Sequence, residues 1–401
     1  MNQEKVRKME IFSVHAGWRD WIYLRVYSSS GQFGLSEITE SNGSVNALVA
    51  AIKQLFYLIK DEEYVNISEI VKLMKYSVRQ SLPGILWKAM AGLENAIWDL
   101  VAKENGMSVY QLVTGLQKEK FNAPVYWSHC PTSRIRASSY IERFPVRNVE
   151  DLYTLGQEIT ELGFKCIKSN IFNFQMTPAI RMPGFAKNLE ILRSEIDHHD
   201  IENFANNLQT LHESCPGVGI AIDLNYNLPS NLLNFFQQKI QDIPISWLEV
   251  DFDDFFEREK FLRIASNKIC TGENLLGLDN YLQVIEDSRV EIISIDLIWN
   301  GFSEAIRIME YATKFGKKIA IHNYYSSLAS AMALNFYNII PVNQRELLEF
   351  DFDDVPWRDF IIVNAPTYNN GMLNLDSKSG WGVELNQEIM RQHLKNYIIL
   401  D

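Results

Sequence analysis

The chain has 401 residues, 47% of them hydrophobic and 22% charged, which is the composition of a globular protein with room for more than one domain. Its 50 acidic and 38 basic side chains give a net charge of −12, so its field repels nucleic-acid backbones and anionic lipid surfaces. No apolar run approaches the roughly 18 residues of a spanning helix and the first residues lack a secretory signal, so we expect a cytoplasmic protein with neither a nucleic-acid nor a membrane partner.

Residues 1–120 predict a mixed α and β region. Strand-like runs at 10–14 and 21–27 are followed by a Ser-rich turn, which is typical of antiparallel strands. Helical periods follow over 45–59 and over 89–101, where apolar side chains recur three and four residues apart. An α+β domain therefore opens the chain.

From residue 124 onward the pattern changes to short apolar runs that alternate with helical stretches, as in a parallel sheet with crossover helices. The sequence contains eight such runs, at 123–126, 166–167, 220–222, 245–248, 268–270, 292–295, 318–321 and 347–348. Eight runs predict a (β/α)8 TIM barrel. The longer interval between the second and third runs predicts an insertion over 172–199, with a turn at Met182-Pro-Gly184.

Ionisable residues closely follow seven of the eight runs, and from the third run onward they recur every 23 to 27 positions, the length of one βα unit. These residues are Lys168, Asp223, Glu249, Glu273, Asp296, His322 and Glu349. In a barrel of this type the residues at the carboxyl ends of the strands face the mouth, where active sites lie. A ring of charge at that place has no packing role and indicates chemistry.

Asp223, Glu249 and Glu273 end three successive strands, so their carboxylates are expected to point into one mouth. Bare carboxylates at close range raise one another's pKa values, and a hard divalent cation removes that conflict. Three oxygen donors with open positions suit octahedral Mg²⁺. We therefore predict a Mg²⁺ site on these residues; the alternative is that each carboxylate is a solvated charge at a strand end.

Asp296 and His322 end the next two strands and should be neighbours. A carboxylate in that place holds the imidazole in one tautomer and raises its basicity, so we predict a general-base dyad. The alternative for His322 is a satisfied structural histidine. Lys168 lies across the predicted barrel, where its charge would stabilise an anion developing on a substrate; the alternative is a surface lysine.

Short motifs with a consistent order and spacing run along nearly the whole chain. They are Ala91-Gly-Leu-Glu-Asn-Ala-Ile-Trp-Asp-Leu100, Gly163-Phe-Lys-Cys-Ile-Lys168, Asp223-Leu-Asn225, Trp247-Leu-Glu249, Thr271-Gly-Glu273, Asp296-Leu-Ile-Trp-Asn-Gly301, His322 and Gly380-Trp-Gly-Val-Glu384. Each motif is weak alone, but together they make the chain resemble the mandelate racemase branch of the enolase superfamily, and within it the acid-sugar dehydratases.

The resemblance implies a modified barrel of the (β/α)7β type, without its last helix, under an α+β capping domain. Accordingly, we place the capping domain at 1–122, the barrel at 123–355 and a segment that returns to the capping domain at 356–401. It also implies that one Mg²⁺ on the three carboxylates binds the carboxylate of a small acid whose α-proton is removed. Glu349 would then hydrogen-bond the enediolate oxygen. We further expect a homo-oligomer.

Five residues are candidate substrate contacts. In the family, the loop between the first two strands folds over the mouth and selects the substrate, which makes Trp18 and Arg19 candidates; ordinary loop packing is the alternative. Tyr126, at the end of the first barrel strand, is similarly placed. Asn170 stands where the racemases of this branch carry a lysine base, and Asn225 stands where some acid-sugar dehydratases carry a histidine.

The amide of Asn170 cannot accept a proton, so the usual second base of a racemase is missing. We therefore expect His322 to remove the α-proton of a sugar acid and to promote loss of a β-hydroxyl, which gives a 2-keto-3-deoxy acid. The enzyme would be a hydro-lyase of carbohydrate catabolism. The alternatives are an epimerase or racemase, a cycloisomerase acting on a related hydroxy acid or lactone, and a catalytically silent barrel kept for binding.

Overall fold

A computed structural model of the chain describes residues 4–39, 44–175, 196–225, 228–252 and 254–401. The described strands are β1 (Val6–Ala16), β2 (Arg19–Ser28), β3 (Phe33–Glu37), β4 (Lys120–Trp127), β5 (Cys166–Asn170), β6 (Gly219–Asp223), β7 (Ile245–Glu249), β8 (Ile269–Thr271), β9 (Ile292–Asp296), β10 (Lys318–His322), β11 (Arg345–Phe350), β12 (Ile362–Val363), β13 (Thr367–Asn369), β14 (Met372–Asp376), β15 (Glu384–Leu385) and β16 (Leu394–Leu400). The turn predicted at 182–184, and most of the predicted insertion around it, lie outside the described residues.

The described α-helices are α1 (Val45–Ile59), α2 (Ile67–Ser77), α3 (Ile85–Glu104), α4 (Val109–Thr114), α5 (Thr132–Arg136), α6 (Ser138–Ile141), α7 (Val149–Leu162), α8 (His198–Ser214), α9 (Ser230–Lys239), α10 (Phe255–Ile264), α11 (Leu278–Ile285), α12 (Leu297–Asn300), α13 (Phe302–Lys314), α14 (Ser327–Tyr337) and α15 (Gln387–Gln392). None of the helices described is long and apolar enough to cross a membrane.

The first three strands and the last one form an antiparallel sheet in the order β16-β1-β2-β3, which we call the N-terminal sheet. The predicted antiparallel start of the chain is confirmed, with Ile11 of β1 opposite Leu24 of β2. Helix α3 packs directly on this sheet. At Gly34 of β3 a Cβ would come within 1.9 Å of the carbonyl oxygen of Ala96, so only glycine permits this close approach.

Strands β4 to β11 are parallel and follow one another in sequence order around a barrel, which closes because β11 also pairs with β4. All eight predicted runs fall on these strands. No α-helix is assigned between the end of β11 and α15 (Gln387–Gln392), a stretch that the structure describes throughout. The predicted (β/α)7β barrel with a capping sheet is therefore confirmed, and its strand ends form one rim.

The helix that follows β10, α14, lies between the barrel and the N-terminal sheet. All of its residues from Ser327 to Tyr337 are buried, and it packs against β3, β4 and β11. A helix built of small and apolar residues on every face is stable only when it is covered on all sides. Its position fixes how the N-terminal sheet sits beside the end of β10, where His322 is the last residue.

Candidate active site

Three predicted metal ligands stand at the carboxyl ends of neighbouring barrel strands. Asp223 is the last residue of β6 and Glu249 is the last residue of β7, and the two are paired in register. Glu273 follows the end of β8 by two residues. All three residues are buried. Because parallel strands of a barrel end at the same rim, the fold itself brings these carboxylates to one side of the molecule.

Two predicted substrate contacts, Asn170 and Asn225, hydrogen-bond to the Asp223 carboxylate. The Nδ2 of Asn170 donates to Oδ2 of Asp223 over 3.0 Å. The backbone N–H and the Nδ2 of Asn225 donate to Oδ1 of Asp223 over 2.9 and 2.8 Å. Asn225 has a φ of +49°, a left-handed conformation that asparagine tolerates better than most residues. Both oxygens of Asp223 are therefore oriented before any ligand arrives.

The buried carboxylates oppose one another's ionisation. Burial raises the pKa of Asp223 to about 7, a shift that Lys168 opposes and Glu249 reinforces. Burial and the charges of Glu249 and Asp251 raise the pKa of Glu273 well above its usual range. Asp251 was not predicted as part of this group, because it falls outside the phase in which the ionisable residues recur along the sequence. A divalent cation would relieve the repulsion among these groups.

The three carboxylates supply oxygen donors of the kind that a hard divalent cation prefers. Glu273 Oε2 is buried and has no hydrogen-bond partner among the residues that the structure describes, so this oxygen could serve a ligand. Lys168 meanwhile engages Glu249, with Nζ 3.2 Å from Oε1 and 3.1 Å from Oε2. Within the described residues, no three His, Cys, Asp or Glu side chains are arranged to hold an ion as they stand. In this structure the Lys168 ammonium therefore contacts the same Glu249 oxygens that a bound cation would use.

Glu349, the other carboxylate beside Lys168, is an acceptor on both of its oxygens. Its Oε1 lies 2.8 Å from Lys168 Nζ and accepts the hydroxyl of Ser128 over 2.5 Å, and its Oε2 accepts the backbone N–H of Asn323 over 2.7 Å. Burial alone would raise the pKa of Glu349, but the charges of Lys168 and His322 hold it well below its usual range. Glu349 thus lies beside Lys168 at the rim, and its hydrogen bond to an enediolate oxygen stays a prediction.

The predicted base dyad is in contact. His322 and Asp296 are paired in register on β10 and β9, and Nδ1 of His322 lies 2.7 Å from Oδ2 of Asp296. With Nδ1–H donated to the carboxylate, the lone pair is on Nε2, which lies 3.5 Å from Glu273 Oε2. Burial lowers the pKa of His322, but the charges of Glu349 and Asp296 outweigh burial and raise it overall. The Nε2 atom of His322 therefore faces the carboxylate group, and the role of His322 as a base stays a prediction.

The remaining predicted substrate contacts lie in the loop between β1 and β2 and inside the barrel. Arg19 is buried, pairs with Asp354 at 2.5 Å and lies 3.4 Å from Asp351, so it ties the loop between β1 and β2 to the end of the last barrel strand. Trp18 beside it is half-buried. Tyr126 lies inside the barrel, where its ring is 5.5 Å from Lys168 Nζ. Substrate contact by Trp18 and Arg19 stays a prediction, with ordinary loop packing as its alternative.

Two models of protein families match the chain. The mandelate racemase / muconate lactonizing enzyme N-terminal domain matches residues 4–114, and the enolase C-terminal domain-like model matches residues 153–389. The chain belongs to the enolase superfamily. The same two matches place it in the mandelate racemase / muconate lactonizing enzyme branch, as the motifs predicted.

Relatives within the enolase superfamily carry two kinds of activity in their names. A D-xylonate dehydratase of Haloferax volcanii is 23% identical, over 97% of this chain and 90% of its own. A D-galactarolactone cycloisomerase of Agrobacterium fabrum is 22% identical, over 78% of this chain and 75% of its own. A crystal structure of a Burkholderia xenovorans protein, whose assignment as an L-alanine-DL-glutamate epimerase is unproven, contains magnesium and fumarate. It superposes on this chain with a TM-score of 0.89 and 26% identity, and the match covers 97% of this chain and 96% of the other.

Proposed function

We propose that this enolase superfamily enzyme is a Mg²⁺-dependent dehydratase of sugar acids, which converts an aldonic or aldaric acid into a 2-keto-3-deoxy acid. The observation that carries the proposal is the His322–Asp296 dyad, whose free Nε2 faces the carboxylates at 3.5 Å while Asn170 stands at the position of the second base. The names of the dehydratase relatives support the same class of substrate.

Asp223, Glu249 and Glu273 are the residues that would hold the ion. A bound Mg²⁺ supplies a Lewis acid that neutralises the substrate carboxylate and lowers the cost of removing its α-proton. Lys168 would then turn from Glu249 toward the substrate while keeping its pairing with Glu349, 2.8 Å away. In that place its ammonium stabilises the negative charge that develops on the acid.

His322 acts as the base and then as the acid. Nε2 takes the α-proton, and the Asp296 carboxylate stabilises the imidazolium through Nδ1. The same nitrogen then returns the proton to the departing β-hydroxyl, so one group serves both steps on one face of the substrate. The enol that remains tautomerises to the 2-keto acid. No second titrating group is needed.

Isomerisation is the second candidate, and the Burkholderia xenovorans structure favours it at 26% identity. An epimerase needs a proton donor on the face opposite His322. In this chain the amide of Asn170 is bonded to Asp223, which leaves Lys168 as the titrating group on β5. In the proposed mechanism Lys168 is engaged by the substrate acid and by Glu349, so dehydration fits the site better.

A screen of aldonic and aldaric acids, with D-xylonate, D-gluconate and D-galactonate among them, tests the proposal. The products are treated with semicarbazide to detect a 2-keto acid, and the reaction is repeated after chelation of the metal. A semicarbazide-reactive product that disappears with the metal supports dehydration. A C2 epimer without keto product would show that Lys168 reaches the opposite face. Purified protein without bound divalent metal and without turnover would point to a binding barrel.

A further inference from the structure

The dyad has a third member that the proposed reaction does not use. The hydroxyl of Tyr325 donates to Oδ2 of Asp296 over 2.5 Å, and this oxygen is also the acceptor for His322 Nδ1. The other oxygen, Oδ1, accepts the backbone N–H of Trp299 over 2.7 Å. Asp296 is completely buried, so no water competes for these bonds. The carboxylate cannot rotate without losing a charge-assisted hydrogen bond.

Tyr325 is itself fixed from several directions. It is only 2% exposed, and its ring meets the His322 ring edge-on at 5.7 Å and the Trp299 ring at 6.1 Å. The next residue, Ser326, caps α14 by accepting the N–H of Leu328 over 3.1 Å. The Ser326 hydroxyl also donates to Glu37, at the end of β3. The N-terminal sheet and the barrel together therefore set the place of the Tyr325 hydroxyl.

We propose that Tyr325 is a positioning residue of the base, which fixes the Asp296 carboxylate and, through it, the His322 imidazole. The inference rests on the proposed function, because His322 is a base only in that reaction. A tyrosine that served packing alone would be replaced by phenylalanine without effect on the reaction. Tyr325 differs from such a residue because its hydroxyl bonds to the same oxygen as the imidazole.

Tyr325→Phe tests the inference by its separate effects on kcat and KM. With the hydroxyl gone, Asp296 Oδ2 keeps one donor and the carboxylate can turn, so kcat should fall by about tenfold while KM and Mg²⁺ affinity stay unchanged. Tyr64→Phe is the matched control, because Tyr64 is fully buried and its hydroxyl donates to the Glu104 carboxylate away from the dyad. Equal kcat in the two variants would overturn the inference.

A second measurement needs no turnover. The proton between His322 Nδ1 and Asp296 should give a far-downfield proton resonance, which is assigned by its loss in His322→Asn. In Tyr325→Phe this resonance should move, because Asp296 Oδ2 then accepts from the imidazole alone, whereas Tyr64→Phe should leave it in place. An unmoved resonance overturns the inference. A moved resonance in a protein that turns over no sugar acid would contradict the proposed function and still support the coupling of Tyr325 to His322.

Discussion

Asn170 donates a hydrogen bond from Nδ2 to Oδ2 of Asp223 over 3.0 Å, and its own Oδ1 accepts the hydroxyl of Thr132 over 3.1 Å. Both ends of the amide are thus occupied, and its plane is fixed. The position at which racemases of the branch carry a base therefore serves here to orient a carboxylate. This single contact links the proposed metal site to the proposed stereochemical course of the reaction.

Replacing Asn170 with Ala should lower the affinity for Mg²⁺ by about ten- to hundredfold, the usual effect of losing a partner that orients a metal ligand. Calorimetric titration of the metal measures the change. Asn173→Ala is the control, because Asn173 is also buried but bonds to Asp200. Equal losses in both variants would show that Asn170 does not orient the metal site.

Replacing Glu249 with Gln should weaken Mg²⁺ binding by more than about a hundredfold, because it removes a charged oxygen donor and not only an orienting partner. Glu346→Gln gives the comparison, since Glu346 stands near the amino end of β11, away from the rim. If metal titration cannot distinguish Glu249→Gln from the parent protein, Glu249 is not a ligand.

Replacing His322 with Asn should abolish exchange of the substrate α-proton with solvent deuterium, because it removes the nitrogen that is proposed to take this proton. The affinity for Mg²⁺ should stay nearly unchanged. The exchange is followed by NMR on any acid that turns over. His212→Asn, a change on the outer helix α8, is the control, and this variant should exchange the substrate α-proton at the parental rate. Exchange at that rate in His322→Asn would assign the base elsewhere.

Replacing Arg134 with Met should lower the free energy of unfolding by about 3–5 kcal/mol at pH 8, since it leaves a buried carboxylate unpaired. Arg134 is fully buried, and its Nε lies 2.8 Å from Asp353 Oδ2. Burial already raises the pKa of Asp353 to about 6 against the opposition of Arg134. Urea unfolding measures the loss. Arg143→Met is the control, because the Arg143 side chain is 47% exposed and lies 3.9 Å from Glu158, so its replacement should change the free energy of unfolding little.

The loss in Arg134→Met should be smaller at pH 5 than at pH 8. A carboxyl group whose folded pKa is raised contributes stability that is complete below its unfolded pKa of about 3.9 and is lost as the pH rises through the folded value. Without Arg134 the folded pKa of Asp353 rises further, so protonation at pH 5 relieves the unpaired charge. If Arg134→Met lost the same free energy of unfolding at both pH values, the destabilisation would come from lost packing and not from the unpaired Asp353 charge.

The barrel could be predicted from sequence because the same pattern, an apolar run followed closely by an ionisable residue, recurs at seven of its eight strands. The same spacing predicted the contact between His322 and Asp296, because residues that end neighbouring parallel strands in register lie side by side. The role of Asn170 could not be predicted in this way, since an amide serves equally well for a substrate or for a carboxylate. Its partner is decided by the rotation of one side chain, which the period of the sequence does not specify.

Tyr325 and Arg19 were harder to predict for different reasons. Tyr325 follows Tyr324 in a loop without period, so nothing in the sequence indicates which hydroxyl turns toward Asp296. Arg19 pairs with Asp351 and Asp354, more than 330 residues away in the chain. Only the closure of the barrel under the N-terminal sheet brings these charges together, and the sequence around Arg19 is equally consistent with an exposed loop.

The pairing of β16 with β1 places the last strand of the chain at the edge of a sheet built from the first. During synthesis, β1 to β3 emerge early and must wait with one edge of β1 unpaired until the whole barrel has left the ribosome. An unpaired edge is a template for other strands. We therefore expect the order of translation to expose a partly folded chain whose β1 edge can pair with strands of other chains. In a circular permutant that places the β16 segment ahead of β1, folding should depend less on chaperones.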